Sequence, residues 1–523
     1  MRAYGTRIIQ GHRGRVRGNV RGRAKSLMVL GTASNVGKSI LVTALCRHFS
    51  SLGIRVAPFK AQNMSLNSAA TPDGLEIGRA QALQAEAARI APSADMNPIL
   101  IKPSGDTTAQ LVLNGRIAGN IQASTYFHEQ RGQLFETVLA SYDRLASTYD
   151  LVIVEGAGSP AEINLRKNDI VNMALAQAIE APCLLAADID RGGVFASLLG
   201  TLELLDADDR ACIKAFAINK FRGDVTLLQP GITTITERLR IPCAGVIPHI
   251  PNIGLDDEDS VALEHRIAKE PAPWNNKRDK HSRLRVAVVA FPFFSNFTDF
   301  DPLFAEPTLD VRFTHFTRDV RNADLVLLPG TKQTVHDLDW LRSSGLAEAI
   351  SEAATRARIF GICGGMQMLG TAIRDPEAIE GGGSRDGLGM LPITTILTSV
   401  KTTQRTQGFV PRETLFGENL THRAYNGYEI HVGKTTASNE HDMAWAFSHD
   451  ERVAGTYMHG LFDDDVFRHA FITATRKACG LAQPPELTAY TALREERIDN
   501  VAHIVANALD LRTTFPHLDA FYR

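Results

Sequence analysis

The chain has 523 residues, several times the size of an ordinary domain, so two or three folding units are expected and each can bury its own core. Its 44% hydrophobic and 22% charged content excludes a largely disordered chain, and no apolar run is long enough for a membrane-spanning helix. The net charge of −2 hides a basic head: residues 1–25 hold eight Arg or Lys and no acid, which leaves −10 on residues 26–523 and nothing there that asks for nucleic acid.

The head is punctuated by Gly11, Gly14, Gly18 and Gly22 and has no apolar stretch of the kind a secretory leader needs, so it reads as a disordered extension. The six cysteines form no CxxC pair, which excludes a clustered zinc site and suits a reducing, cytoplasmic setting.

From Ser26 the pattern is that of an open α/β sheet. A β-branched run, Ser26–Leu30, enters Gly31-Thr32-Ala33-Ser34-Asn35-Val36-Gly37-Lys38-Ser39 and then an apolar helix from Ile40 to Phe49. Backbone amides of such a loop cradle phosphates; Thr32, Asn35 and Gly37 line it, Lys38 reaches the β/γ oxygens, and the Ser39 hydroxyl suits Mg²⁺. Gly31 lies one residue earlier than in the standard P-loop, so Thr32 takes the first position.

Further strands at Leu151–Val154, Cys183–Ala187 and Ala215–Ile218 each end in polar residues, where ligands of such sheets bind. Glu155, before Gly156-Ala157-Gly158, is a second metal candidate. Lys60 and Asp188 are candidates for the carboxylate and phosphoryl site, and Asn219 for reading the adenine. An acidic, Pro-containing and then basic stretch at 252–283 reads as a linker, so 26–251 is the first unit and 284–523 the second.

The second unit starts with buried strands at Arg285–Ala290, Asp324–Leu328 and Ile359–Ile362. The last runs into Cys363-Gly364-Gly365 and an apolar helix, the form of a nucleophile elbow, where small neighbours permit the strained turn and the helix N-terminus favours a thiolate. His459, in Tyr457-Met458-His459-Gly460, is the candidate base, with His431 a rival.

The P-loop resembles that of dethiobiotin synthetase and its relatives. The Cys363–His459 pair resembles the class I glutamine amidotransferases, which implies a flavodoxin-like fold and an oxyanion hole from Gly330 and Gly364. Most of that class carry an acid two residues after the histidine. Leu461 stands there, so either another acid, for which Glu429 is the candidate, orients the imidazole or the cysteine–histidine dyad suffices. The two halves in this order, with Lys60 to Ser68 and Arg191 to Ser197, resemble the corrin amidases from about residue 26 onward.

The resemblance implies ATP, Mg²⁺ and glutamine as reactants, a corrinoid substrate, and amidation of the b, d, e and g carboxylates of adenosylcobyrinic acid a,c-diamide. The sister enzyme that makes the a,c-diamide, another amide ligase of this layout, or a nucleotide-dependent switch with an inactive glutaminase unit are the alternatives.

Overall fold

A computed structural model describes residues 24–522 except 106–107, 123–130, 257–265, 268–270, 275–278, 438–442 and 485. Residues 1–23 of the basic head, and half of the stretch read as a linker, lie outside the described residues.

The first unit is a six-stranded parallel sheet in the order Cys243–Pro248, Ile213–Phe221, Cys183–Asp188, Lys25–Gly31, Leu151–Glu155, Val56–Phe59. Its central strands are apolar at nearly every position rather than alternately, because helices cover both faces. Lys25 is already the first residue of its strand, so the head ends one residue earlier than its charge pattern suggests.

The second unit repeats the principle: Leu309–Thr314, Leu284–Val289, Leu325–Leu328, Arg358–Ile362 and Val453–Thr456 run parallel, with Trp445–Phe447 antiparallel at the edge. Both units are therefore α/β with a wound parallel sheet, as the sequence predicts.

The additions between the sheets are what the strand pattern does not announce. A long antiparallel ribbon, Thr394–Phe409 with Ala424–Thr436, reaches from the second unit toward the first. It meets the short hairpin Ser68–Ala70/Glu76–Gly78: Tyr428 Oη donates to Ser68 O at 3.1 Å and Arg405 Nε to Ala70 O at 3.1 Å. A four-stranded sheet, Gln62–Met64, Ile99–Pro103, Thr108–Leu113 and Arg116–Gln122, builds out the same side of the first unit.

The C-terminal boundary requires a correction. Helix Tyr490–Ala508 and the residues after it leave the second unit and return to the first, where Ile498, Val501, Val505, Leu511 and Phe515 share one core with Leu41, Leu45 and Phe49 of the P-loop helix. Arg47, buried in that helix, reaches Glu495 at 2.8 Å and Asp499 at 3.2 Å. The helix also carries Arg494, which with Arg79 encloses the buried Asp256 carboxylate (2.5 and 2.7 Å) and holds it well below the usual carboxylate range against its burial. The apolar pattern of 490–518 is an ordinary helix face, and nothing local to it says which sheet it covers.

Ile498→Ala is accordingly expected to destabilise the first unit, by about 2–5 kcal/mol for a fully buried side chain, although residue 498 follows the whole second unit in sequence. Urea unfolding followed on the isolated full-length chain reads it; a loss confined to the transition of the second unit would contradict this placement.

Candidate functional site

The P-loop leaves strand Lys25–Gly31 and ends at Gly37, whose left-handed backbone (φ +101°) opens helix Lys38–Ser51. A side chain there would also meet Asn219 Nδ2 at 2.4 Å. Lys38 folds over the loop, its Nζ donating to Ala33 O and Gly158 O at 3.0 Å each.

The Ser39 hydroxyl donates to Glu155 Oε1 at 2.8 Å, so the two oxygen groups assigned to a metal stand together at the strand ends. Lys60 is no surface lysine. It is buried, with Nζ 2.9 Å from the same Glu155 oxygen, and Gln84 Nε2 donates to Glu155 Oε2 at 2.6 Å. A hydroxyl and a carboxylate beside a phosphate-binding loop are the hard oxygen donors that Mg²⁺ selects, so the residues present fit that ion.

Three other expected site residues also make bonds within the loop and its flanks. The Thr32 N–H is engaged by Ala186 O at 3.0 Å, extending the sheet pairing, so among the loop amides it is not available to a phosphate. Asn219 donates Nδ2 to Val36 O at 2.8 Å and accepts the Lys220 N–H on Oδ1, so it braces the loop while one donor and one acceptor position of the amide stay open. Asp188 is likewise a brace: it pairs with Lys220 at 2.7 Å, and Lys220 in turn donates to Asn35 O at 2.7 Å.

In the second unit Cys363 closes strand Arg358–Ile362 with φ +51° and ψ −113°, a conformation costly for any residue with a side chain and the strained turn the elbow requires. Gly365 behind it has no room for a methyl group, since Leu328 O would stand 2.0 Å away. His459 lies close enough to Cys363 for the thiol to bear on its protonation, while the thiol donates to Ile430 O at 3.6 Å; His431 stacks on Tyr457 at 3.7 Å and turns its Nε2 to Glu429 at 3.3 Å. Gly330 packs against the His459 ring: a Cβ on it would lie 2.9 Å from Cε1. One on Gly364 would lie 3.2 Å from the Thr331 amide nitrogen, so the loop after strand Leu325–Leu328 closes on the elbow.

Glu429 does not orient His459. It serves His431, Gln404 and Thr406, while the buried Asp299 places Oδ2 2.7 Å from His459 Nδ1 and accepts the Gly460 N–H on Oδ1 at 3.0 Å. Burial alone would push the imidazole pKa down. The Asp299 charge and hydrogen bond, with lesser contributions from Cys363, override it and raise it to about 10. The available signal in the sequence was an acid inside the aromatic run Phe291 to Phe300, since a charge buried among aromatics must have a partner.

Family models match both halves: a CobQ/CobB/MinD/ParA nucleotide binding domain over residues 27–260 and a CobB/CobQ-like glutamine amidotransferase domain over 285–467. A nucleotide-binding unit joined to a glutaminase unit defines the chain as a glutamine-hydrolysing carbon–nitrogen ligase. It is similar over nearly its whole length to proteins named cobyric acid synthase. That of Sorangium cellulosum is 46% identical over 514 residues, covering 93% of this chain and 97% of the relative. Those of Lachnoclostridium phytofermentans (42%; 94% and 98% covered) and Citrobacter koseri (44%; 94% and 98%) are comparable. The chain belongs to the cobyric acid synthase family, whose glutamine-dependent amidation serves cobalamin biosynthesis.

Replacing Asp299 by Asn removes the leading upward influences on His459 and leaves the burial. The imidazolium, kept in the native protein until the pH nears 10, should then lose its proton at lower pH, with glutamate release from glutamine falling about 10²-fold or more. Histidine NMR titration and a glutaminase assay read the two effects; an unmoved midpoint would remove Asp299 as the orienting acid.

Proposed function

We propose that the chain amidates the b, d, e and g carboxylates of adenosylcobyrinic acid a,c-diamide, using one ATP and one glutamine for each. The observation that carries this reading is the near full-length similarity to chains named cobyric acid synthase, together with both sets of polar residues standing in one chain: Ser39, Lys38, Lys60 and Glu155 at the phosphate loop, Cys363, His459 and Asp299 at the elbow.

A carboxylate is a poor electrophile because oxide is a poor leaving group. Transfer of the γ-phosphoryl group to a carboxylate oxygen gives an acyl phosphate, from which phosphate leaves when ammonia attacks the carbonyl carbon. Lys38 and the loop amides offset charge on the transferring group, and Lys60 lies within reach of the same place through Glu155. Mg²⁺, held by Ser39 and Glu155, would neutralise phosphate charge there.

At the elbow, Cys363 Sγ attacks the amide carbon of glutamine and the C–N bond breaks as His459 gives its proton to the departing nitrogen. Water then hydrolyses the thioester to glutamate, with His459 as base. Asp299 keeps the ring oriented and charged for the first step. The backbone around Gly330, Thr331 and Gly364 is the expected oxyanion hole.

Mass spectrometry of the corrin after incubation with the protein, Mg-ATP and glutamine should show a ladder ending four carboxyl-to-amide conversions above the starting compound. An untouched corrin beside intact glutaminase activity would defeat the substrate assignment. Cys363→Ala should abolish turnover with glutamine and retain it with ammonium salts. Lys38→Ala should abolish both, and ammonia-driven synthesis surviving in that variant would take the P-loop out of the mechanism.

A further inference from the structure

The Cys363 cavity is narrow, about 50 Å³, and is bounded by Lys102 and Gln110 of the first unit and by Asn296 and the ribbon's Lys401 of the second. Behind it Glu76 is buried: Oε1 takes Lys102 Nζ and the Ser68 hydroxyl at 2.8 Å each, and Oε2 meets Lys401. Alternate residues of a strand share a face, so Glu76 and Gly78 of strand Glu76–Gly78 look the same way.

Gly78 has an ordinary backbone (φ −58°, ψ 140°) that any residue adopts, so its missing side chain answers to space. A methyl group there would stand 2.6 Å from Gln81 Oε1, 2.7 Å from Asn63 Nδ2 and 3.0 Å from Asn97 Oδ1. Three buried amide tips thus converge on one glycine.

Gln81 Oε1 accepts from Asn63 Nδ2 at 3.0 Å, while Gln81 Nε2 has no partner although the side chain is fully buried. Three residues on, along the same side of helix Arg79–Ala87, Gln84 donates Nε2 to Glu155 and its buried Oε1 has no partner either. A buried polar atom without a partner costs about 1–3 kcal/mol, so native chains keep few of them. Here one donor and one acceptor are left open on adjacent turns, between the cysteine cavity and the phosphate loop. A small neutral molecule that both donates and accepts hydrogen bonds answers both.

We propose that ammonia released at Cys363 passes to the activated carboxyl group along this column: by Glu76 and Ser68, across Gly78 among Asn63, Gln81 and Asn97, and out at Gln84 beside Glu155. The inference rests on the reading given under Proposed function. No bond forms or breaks in transit; NH₃ leaves the elbow neutral and uses its lone pair only on the acyl phosphate carbon. The Asn63 and Gln81 tips touch each other and Asn97 faces the same glycine, so the molecule advances by exchanging hydrogen bonds with them rather than through an open bore.

The test uses full-length Gln81→Leu, Asn63→Leu and Gly78→Ala, each assayed for glutamate release, for corrin amidation with ammonium chloride, and for amidation with glutamine in ¹⁵N-ammonium solution. Amidation by the native chain tests the functional reading; the ratio of amide formed to glutamine hydrolysed tests the route. The expected result is that the first two rates stay close to native. Amide per glutamine falls about tenfold, the equivalent of one lost hydrogen bond on the path, and solvent ¹⁵N enters the product. Should Gly78→Ala fail to fold and lose all three activities, the two leucine variants, which preserve side-chain bulk, decide. A native ratio with label still excluded in both would overturn the route.

Discussion

The hydrogen bonds that fix residues 67–70 of the first unit to the second keep two chemistries in register. Asn67 Oδ1 accepts the Phe297 N–H at 3.3 Å and Asn296 Oδ1 accepts the Ser68 N–H at 2.8 Å, a reciprocal pair of asparagine-to-backbone bonds across the seam. Asn296 adopts a left-handed backbone at this point, which asparagine tolerates better than most residues. Three residues further on stands Asp299, and from Asp299 hangs the orientation of His459. In the other direction the same stretch of chain leads back to Lys60 and Glu155. A shift of one unit against the other would therefore disturb the imidazole before it disturbed either sheet.

Buried carboxylates do most of the organising, each with several donors. Glu155 has Ser39, Lys60 and Gln84; Asp299 has His459 and the Gly460 amide; Glu76 has Ser68, Lys102 and Lys401. The electrostatic reason is common to all three. An ionised carboxylate removed from water persists only where charge and hydrogen bonds together replace its hydration, and removing one partner leaves an uncompensated charge. For Glu76 the two lysines win over burial and hold the carboxyl far below its ordinary range. Polar burial of this density at a seam between units makes the relative placement specific, because an apolar contact would tolerate sliding where a matched set of charges does not.

What the sequence disclosed was what is local. A strand, a glycine-rich loop and a helix in succession mark the phosphate site, and a cysteine between glycines marks the elbow, because the backbone geometry and the chemistry there come from adjacent residues. The strands predicted at Ser26, Leu151, Cys183, Ala215, Arg285, Asp324 and Ile359 recur in the two sheets. Contacts closed over long sequence distances were not legible. Glu429 and Asp299 are both acids in apolar strings, and only the fold brings the one to His431 and the other, 160 residues before its partner, to His459. Asn219 and Asp188 were found at the right strand ends, yet their side chains turn to the loop itself, a choice set by Lys220 and Val36 that no motif records. Helix Tyr490–Ala508 carries an ordinary amphipathic pattern that fits either sheet.

That returning helix also governs the order in which the protein can be finished. The P-loop helix keeps Leu41, Leu45 and Phe49 under a cover that the ribosome makes only after every residue of the glutaminase unit. During synthesis the first sheet must wait with an apolar flank uncovered, while the second unit can close as soon as its own strands have emerged. The glutaminase unit is, in this sense, a long insertion within the nucleotide-binding one. The phosphate-binding half is complete only when helix Tyr490–Ala508 and the residues after it come home.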